Sequence, residues 1–367
     1  MQLPIFDDLV EEQLKVYEYT PAQSMLVVGP PGSGKTSMAI WRARVMVSPD
    51  LNLNVALITK NRLLSAVAGQ LARENNNAGI ETATMHSFVA RDYSRRIGGM
   101  IPSVARFKYD WEQIFSDYEK AEIEPILDNL IIDEGQNLPI QFFHWAKRYG
   151  AKHLSVFADE HQTTENDGIS IRELQHVGFR KVFPLLVNHR NTKNIATLVG
   201  CFHSDRKIPQ ASPKRGLGAP PSLLEVDTWE EFADLVAARF KNRREAIGVI
   251  VHFVSEVNAM QTLLKARLPE TRVDAYTNKT RKGEELAIEM RVPGVTIISG
   301  ESAIGLEFDA LYLQDLSRSL PIVDPLQQRR LYMLCARARE MLFLVNGPTK
   351  LSKVQLESLP SPPILER

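Results

Sequence analysis

Cysteine is nearly absent from the chain: among 367 residues there are two, Cys201 and Cys335. They show no paired ligand spacing and fall in segments that read as helices. Neither a zinc site nor a disulfide framework is implied, and a reducing cytoplasm fits. Net charge is absent as well, with 44 Lys and Arg against 44 Asp and Glu. A polyanionic partner would therefore be held by local basic patches, not by a global field. No apolar run has the length of a membrane span, and residues 1–20 are acidic and amphipathic where a secretory leader is basic and then apolar. The sequence thus offers no sign of a span, a signal peptide or a membrane partner, and it contains no short-period repeat. What remains, 44% hydrophobic and 24% charged, is the composition of an ordinary globular chain long enough for two buried domains.

The first positive signal is the run Gly29, Pro30, Pro31, Gly32, Ser33, Gly34, Lys35, Thr36, which fits G-x-x-x-x-G-K-[ST]. Backbone N–H groups of such a turn converge on an anion, and the start of the following helix adds its positive dipole end. Lys35 would reach the β and γ phosphates of a nucleotide, and Thr36 would hold Mg²⁺. The context is right: Met25 to Val28 is an apolar strand, and Ser37 to Val47 reads as a helix ending before Pro49.

The second signal is Leu130-Ile131-Ile132-Asp133-Glu134-Gly135-Gln136, an apolar strand that delivers two adjacent carboxylates at its end. Beside a phosphate loop, Asp133 would organise Mg²⁺ and Glu134 would orient and deprotonate the attacking water, which points to hydrolysis in addition to binding. Gln13, on a predicted helix ahead of the loop, has an amide that both donates and accepts, as the edge of adenine requires. Other predicted strands end in polar residues: Lys60 after Asn54 to Thr59, Thr84 with His86, Ser87 and Phe88 at the end of the next, and Asp159 after His153 to Ala158. Ligands of α/β sheets collect at such ends. Between Arg91 and Lys108, basic residues including Arg95 and Arg96 alternate with Tyr93 and Phe107, a composition that suits either a single-strand contact or a solvated face.

Strands alternate with helices in both halves, which predicts α/β architecture with mainly parallel sheets. The break is expected near residue 180, giving domains 1–180 and 181–367, with a small basic helical insert at about 91–120. The proline-rich end from Leu359 to Arg367 is expected to fray.

In order, these segments resemble the UvrD/Rep-like branch of superfamily 1 helicases, in a compact form without the large inserted domains. Gly29 to Thr36 is similar to its motif I, and Asp133-Glu134-Gly135-Gln136 to its D-E-x-Q motif II. Ala158 to Gln162 resembles motif III, which would make Gln162 a γ-phosphate sensor. Val187-Asn188-His189-Arg190 resembles motif IV, Gly305 to Asp309 motif V, and Arg329 to Arg339 motif VI. The resemblance implies two RecA-like P-loop domains with ATP and Mg²⁺ in the cleft between them. It assigns Arg190 and Arg337 to the γ-phosphate, Glu307 to the nucleotide sugar, and Gln13 and His189 to adenine. It also implies movement on nucleic acid, single-stranded DNA by family habit, with RNA left open.

Beyond the missing inserted domains, the chain departs from the family at five positions. Ser37 replaces a basic residue after motif I, and His189 replaces a tyrosine. Thr163 stands where relatives carry an aromatic, and Glu301 and Ile304 stand where relatives keep histidine and lysine. These departures leave two further readings: a nucleic-acid-sensing ATPase subunit of a defence or repair complex, with a protein partner supplying specificity, and a P-loop switch that controls protein assembly without nucleic acid.

Overall fold

The computed structural model describes residues 3–72, 80–159, 169–203, 212–290, 292–314, 316–317 and 319–367. The chain divides into two compact units, one of residues 3–29 and 35–185, the other of residues 186–367 together with 30–34. Elements run α1 (Glu11–Glu18), β1 (Met25–Val28), α2 (Lys35–Met46), β2 (Val55–Thr59), α3 (Arg62–Ala72), β3 (Glu81–Thr84), α4 (Met85–Arg96), β4 (Ser103–Ala105), β5 (Lys108–Tyr109), α5 (Trp111–Lys120), β6 (Leu127–Ile132), α6 (Ile140–Trp145), β7 (Ala151–Ala158), α7 (Ile171–His176) and β8 (Val182–Pro184). There follow β9 (Val187–Asn188), α8 (Lys193–Cys201), β10 (Ser212–Pro213), β11 (Ser222–Glu225), α9 (Trp229–Arg243), β12 (Ala246–Val251), α10 (Val254–Arg267), β13 (Val273–Tyr276), β14 (Gly294–Ser299), β15 (Phe308–Leu313), α11 (Pro325–Cys335), β16 (Ala338–Asn346) and α12 (Lys353–Glu357).

In the first unit six parallel strands form one sheet in the order β3-β2-β6-β7-β1-β8. Strands β1 and β2 are almost continuously apolar and buried, and β6 becomes so from Leu130, as a sheet covered on both faces requires. Phe142, Phe143, Trp145 and Tyr118 anchor one of its core clusters. The order places β7 between β1 and β6, so loops distant in sequence leave the sheet side by side. The second unit repeats the architecture with six parallel strands ordered β11-β16-β15-β12-β14-β13. The fold is therefore α/β with mainly parallel sheets, as expected. No helix among the described residues is long and apolar enough to cross a membrane.

Two local expectations are corrected. The C-terminal segment is pinned: Leu365 is fully buried, the Leu223 N–H donates to Glu366 O at 2.7 Å, and the Glu366 N–H donates to Pro221 O at 2.9 Å. Edge strand β11 has backbone groups to satisfy, and the extended tail supplies them. The sequence also reads as a helix from Pro325 to Arg339, but α11 stops at Cys335 because β16 claims the chain from Ala338, opposite Phe308.

Candidate nucleotide site

The phosphate loop leaves the C-terminal end of β1, and its geometry explains its glycines. Gly32 sits at φ +82, and a Cβ there would lie 2.3 Å from Asn188 Oδ1. Its carbonyl accepts the His189 N–H at 2.8 Å, so space as well as backbone conformation demands glycine. The Ser33 hydroxyl donates to Pro30 O at 2.9 Å and closes the turn. Pro30 and Pro31 are buried, while Ser37 is half-buried in the first turn of α2.

Lys35, only 6% exposed, opens α2. Its ammonium donates to Gly29 O at 2.5 Å and lies 3.5 Å from Asp159 Oδ2 at the end of β7. The Thr36 hydroxyl donates to Asp133 Oδ2 at 2.7 Å. Burial and the neighbouring Glu134 carboxylate push the Asp133 carboxyl up to about 7, while Thr36 and Lys35 pull it down. Asp133 Oδ1 is buried and has no hydrogen-bond partner among the described residues. A hard cation suits an unsatisfied carboxylate oxygen beside a hydroxyl, so these residues fit Mg²⁺. No cluster of three or more His, Cys, Asp or Glu side chains gathers for a metal among the described residues.

Glu134 is held in the left-handed region, at φ 56 and ψ 38. A non-glycine residue adopts this at a cost of about 1–2 kcal/mol, and such strain concentrates at functional sites. Gln136 supports it: its side-chain N–H donates to Glu134 Oε2 at 2.7 Å, and its Oε1 accepts the Asp159 N–H at 3.0 Å. Gly135 packs closely between them, and a Cβ there would meet Val156 Cγ1 at 2.8 Å. Gln13, 3% exposed, accepts the Val10 N–H through its Oε1 at 3.3 Å and thereby caps its own helix. Gln162 lies outside the described residues.

In the second unit Arg190 donates through Nε to Glu307 Oε2 at 3.0 Å and through Nη1 to Ala336 O at 3.3 Å. Burial pushes the Glu307 carboxyl up, but neighbouring positive charge, Arg190 foremost, outweighs it and the net direction is down. Asn188 Oδ1 accepts the N–H groups of Arg190 and Asn191 at 3.0 and 3.1 Å, which sets the turn that aims Arg190; His189 between them is half-buried. Arg337 is 1% exposed, with Nε donating to Met333 O at 3.1 Å.

The nucleic-acid candidates fare unevenly. Phe88 belongs to the core, edge-on to Trp145, so its ring offers no stacking surface. Arg96 is spent internally: it donates to Glu124 O and Tyr149 O, each at 3.1 Å, and lies over the Tyr118 ring. Thr84 caps α4 by accepting the Ser87 N–H at 3.4 Å. Lys60 is half-buried after β2 and Arg95 is exposed on α4, while the His86 ring lies against the β4–β5 hairpin.

Sequence reasoning assigned no role to Gln136, Asn188 or Arg42. Gln136 stood inside a quoted motif, but its double contact depends on β6 and β7 being neighbours. Arg42 looks like one more basic residue on α2, yet it is 2% exposed and donates to Ser155 Oγ, Val16 O, Tyr19 O and Thr20 O at 2.9, 3.3, 2.7 and 3.1 Å.

A family model, AAA_19, described as AAA domain, matches residues 13–275. No curated protein matches. Among solved structures, the C-terminal domain of a possible DNA helicase from Lactobacillus plantarum WCFS1 is similar at 22% identity and TM-score 0.35, covering 49% of this chain and 98% of that one. The PRRSV helicase is similar at 15% identity and TM-score 0.43, covering 95% of this chain and 57% of that one, so the chain spans just over half its length.

Proposed function

Because the chain belongs to the AAA_19 family of AAA domains, and so to the superfamily 1 helicase-like proteins, we propose that it hydrolyses ATP to move on a single strand of nucleic acid, DNA before RNA. The observation that supports this most directly is the gathering of Lys35, Thr36, Asp133 and Glu134 at the carboxyl ends of β1 and β6. Lys35 would exchange its bond to Gly29 O for phosphate oxygens. Thr36 and Asp133 would hold Mg²⁺, which when bound neutralises phosphate charge. Glu134, preset by Gln136, would orient a water and take its proton.

Residues 1–180 and 181–367 would serve as the two working domains, with 91–120 as an insert. Gln13 and His189 would address adenine, and Glu307 the sugar. Gln162 is retained as a γ-phosphate sensor by resemblance alone. Arg190 and Arg337, carried by the second unit, would stabilise charge developing on the γ-phosphate, so that turnover requires both units.

One observation favours the reading as an ATPase subunit whose partner supplies strand separation. Ile304 is 3% exposed in the core, and nearby Glu301 presents an acid to solvent, so neither serves a phosphate backbone. ATP turnover of the purified chain, with and without single-stranded DNA or RNA at two salt concentrations and with Lys35→Ala as control, tests both readings. Stimulation that falls with salt supports the motor, stimulation without duplex unwinding supports the subunit, and no stimulation by any nucleic acid refutes both.

A further inference from the structure

The hairpin between α4 and α5 carries an aromatic where its turn favours glycine. Ala105 pairs with Lys108, leaving Arg106 and Phe107 as the turn, and Phe107 sits at φ +62. Glycine takes that conformation freely, whereas a bulky residue adopts it only under strain. Burial does not compensate, since Phe107 is 68% exposed beside Val104 at 69%. A local rule broken with no gain in packing marks a functional position.

The surroundings define what the ring would meet. From Tyr93 to Tyr109 the chain has no acidic residue, and Arg95, Arg106 and Lys108 are exposed. The Arg106 guanidinium lies over the Phe107 ring, 5.1 Å from its centre. The root of the hairpin is held in place: the Tyr109 hydroxyl donates to His86 O at 2.6 Å, His86 Nε2 lies 2.9 Å from Phe107 O, and the His86 ring meets Phe107 and Tyr109 edge-on. Tyr109 and Trp111 pack on the core. His86 thus acts as a prop for Phe107.

We propose that this hairpin is a contact for single-stranded nucleic acid, with Phe107 stacking on a base and Arg106, Lys108 and Arg95 meeting phosphates. The proposal rests on the nucleic-acid reading above and gives it a surface. A flat apolar ring stacked against Arg106 and one position from Lys108, in a stretch from Tyr93 to Tyr109 without acidic residues, matches an unpaired base flanked by phosphates, because stacking needs only a π face and is tolerant of sequence.

The test is fluorescence anisotropy of a labelled oligothymidylate with the full chain. Phe107→Gly relieves the turn, so it is expected to fold with a Tm at or above wild type and to keep basal ATP turnover, while affinity falls about 5- to 150-fold. Phe107→Trp retains binding. Lys108→Ala lowers the slope of log affinity against log salt by about 0.7. Undiminished binding by Phe107→Gly overturns the proposal while leaving the nucleic-acid reading in place. If the wild type binds neither oligothymidylate nor oligouridylate, both fall. If Phe107→Gly loses phosphatidylserine vesicles but keeps the oligonucleotide, the hairpin is a membrane contact and the proposal is wrong.

Discussion

The Thr36 hydroxyl and the Asp133 carboxylate are hydrogen-bonded at 2.7 Å although 97 positions separate them in sequence. The bond satisfies one oxygen of a carboxylate that is 1% exposed and leaves the other bare. A buried carboxylate oxygen without a partner costs the empty fold, and a bound cation would relieve that cost.

That arrangement predicts an inverse relation between stability and activity at Asp133. Its carboxyl stands at about 7 in the fold against an ordinary 3.8, so the charged form is the one the fold disfavours. The resulting stability is fully present below about pH 4 and is lost as pH rises through about 7. Asp133→Asn keeps an acceptor for Thr36 without the charge. It should raise the metal-free unfolding free energy at pH 8 by about 2 kcal/mol, and the Tm with it, leave both unchanged near pH 4, and abolish Mg²⁺-dependent ATP turnover. Calorimetry at the two pH values checks it, and a Tm gain equal at both would remove ionisation as the cause.

Gln136 should matter for rate more than for binding. Its amide holds Glu134 on one side and the Asp159 N–H on the other. Glu134→Gln is expected to bind ATP and stall. Gln136→Ala should lower kcat roughly 10- to 100-fold with nearly unchanged ATP affinity, as loss of positioning does. Single-turnover kinetics beside equilibrium binding separate the two, and a matching loss of affinity would make Gln136 a binding residue.

Arg190 and Glu307 are expected to be energetically coupled before any nucleotide arrives. Their side chains are 11% and 14% exposed and 3.0 Å apart. A double-mutant cycle with Arg190→Gln and Glu307→Gln on unfolding free energy should give about 1–2 kcal/mol of coupling, and saturating nucleotide should reduce it if Arg190 transfers to phosphate. Coupling that nucleotide leaves untouched would make the pair purely structural.

Arg42 is predicted to be the costliest surface-looking residue in the first unit. Burial pushes its guanidinium down to about 10, so it remains charged at neutral pH, and its four bonds join α2 and β7 to the end of α1. Arg42→Lys keeps the charge but not the planar fork and should destabilise the unit by about 2–4 kcal/mol. Because α1 carries Gln13, discrimination of ATP from GTP should weaken with it. Denaturant unfolding and competition binding measure the two effects, and a loss below about 0.5 kcal/mol would contradict the buried network.

The amino-acid order alone carries the local patterns. A glycine-rich turn before Lys35, an apolar strand ending at Asp133 and Glu134, and the alternation of strands with helices are all short-range patterns, and each appears in the structure where the pattern puts it. Long-range adjacency is not written in such patterns. That β7 lies between β1 and β6 is what brings Asp159 to Lys35 and lets Gln136 touch both Glu134 and the end of β7. Burial likewise separates residues of one composition: Arg96, Arg42 and Phe88 are consumed by the fold, while Arg95, Arg106 and Phe107 are left to solvent. A residue's type follows from the sequence, but whether its charge or ring is satisfied inside the protein depends on which distant strands and loops the sheet order places beside it, and only the tertiary structure decides that.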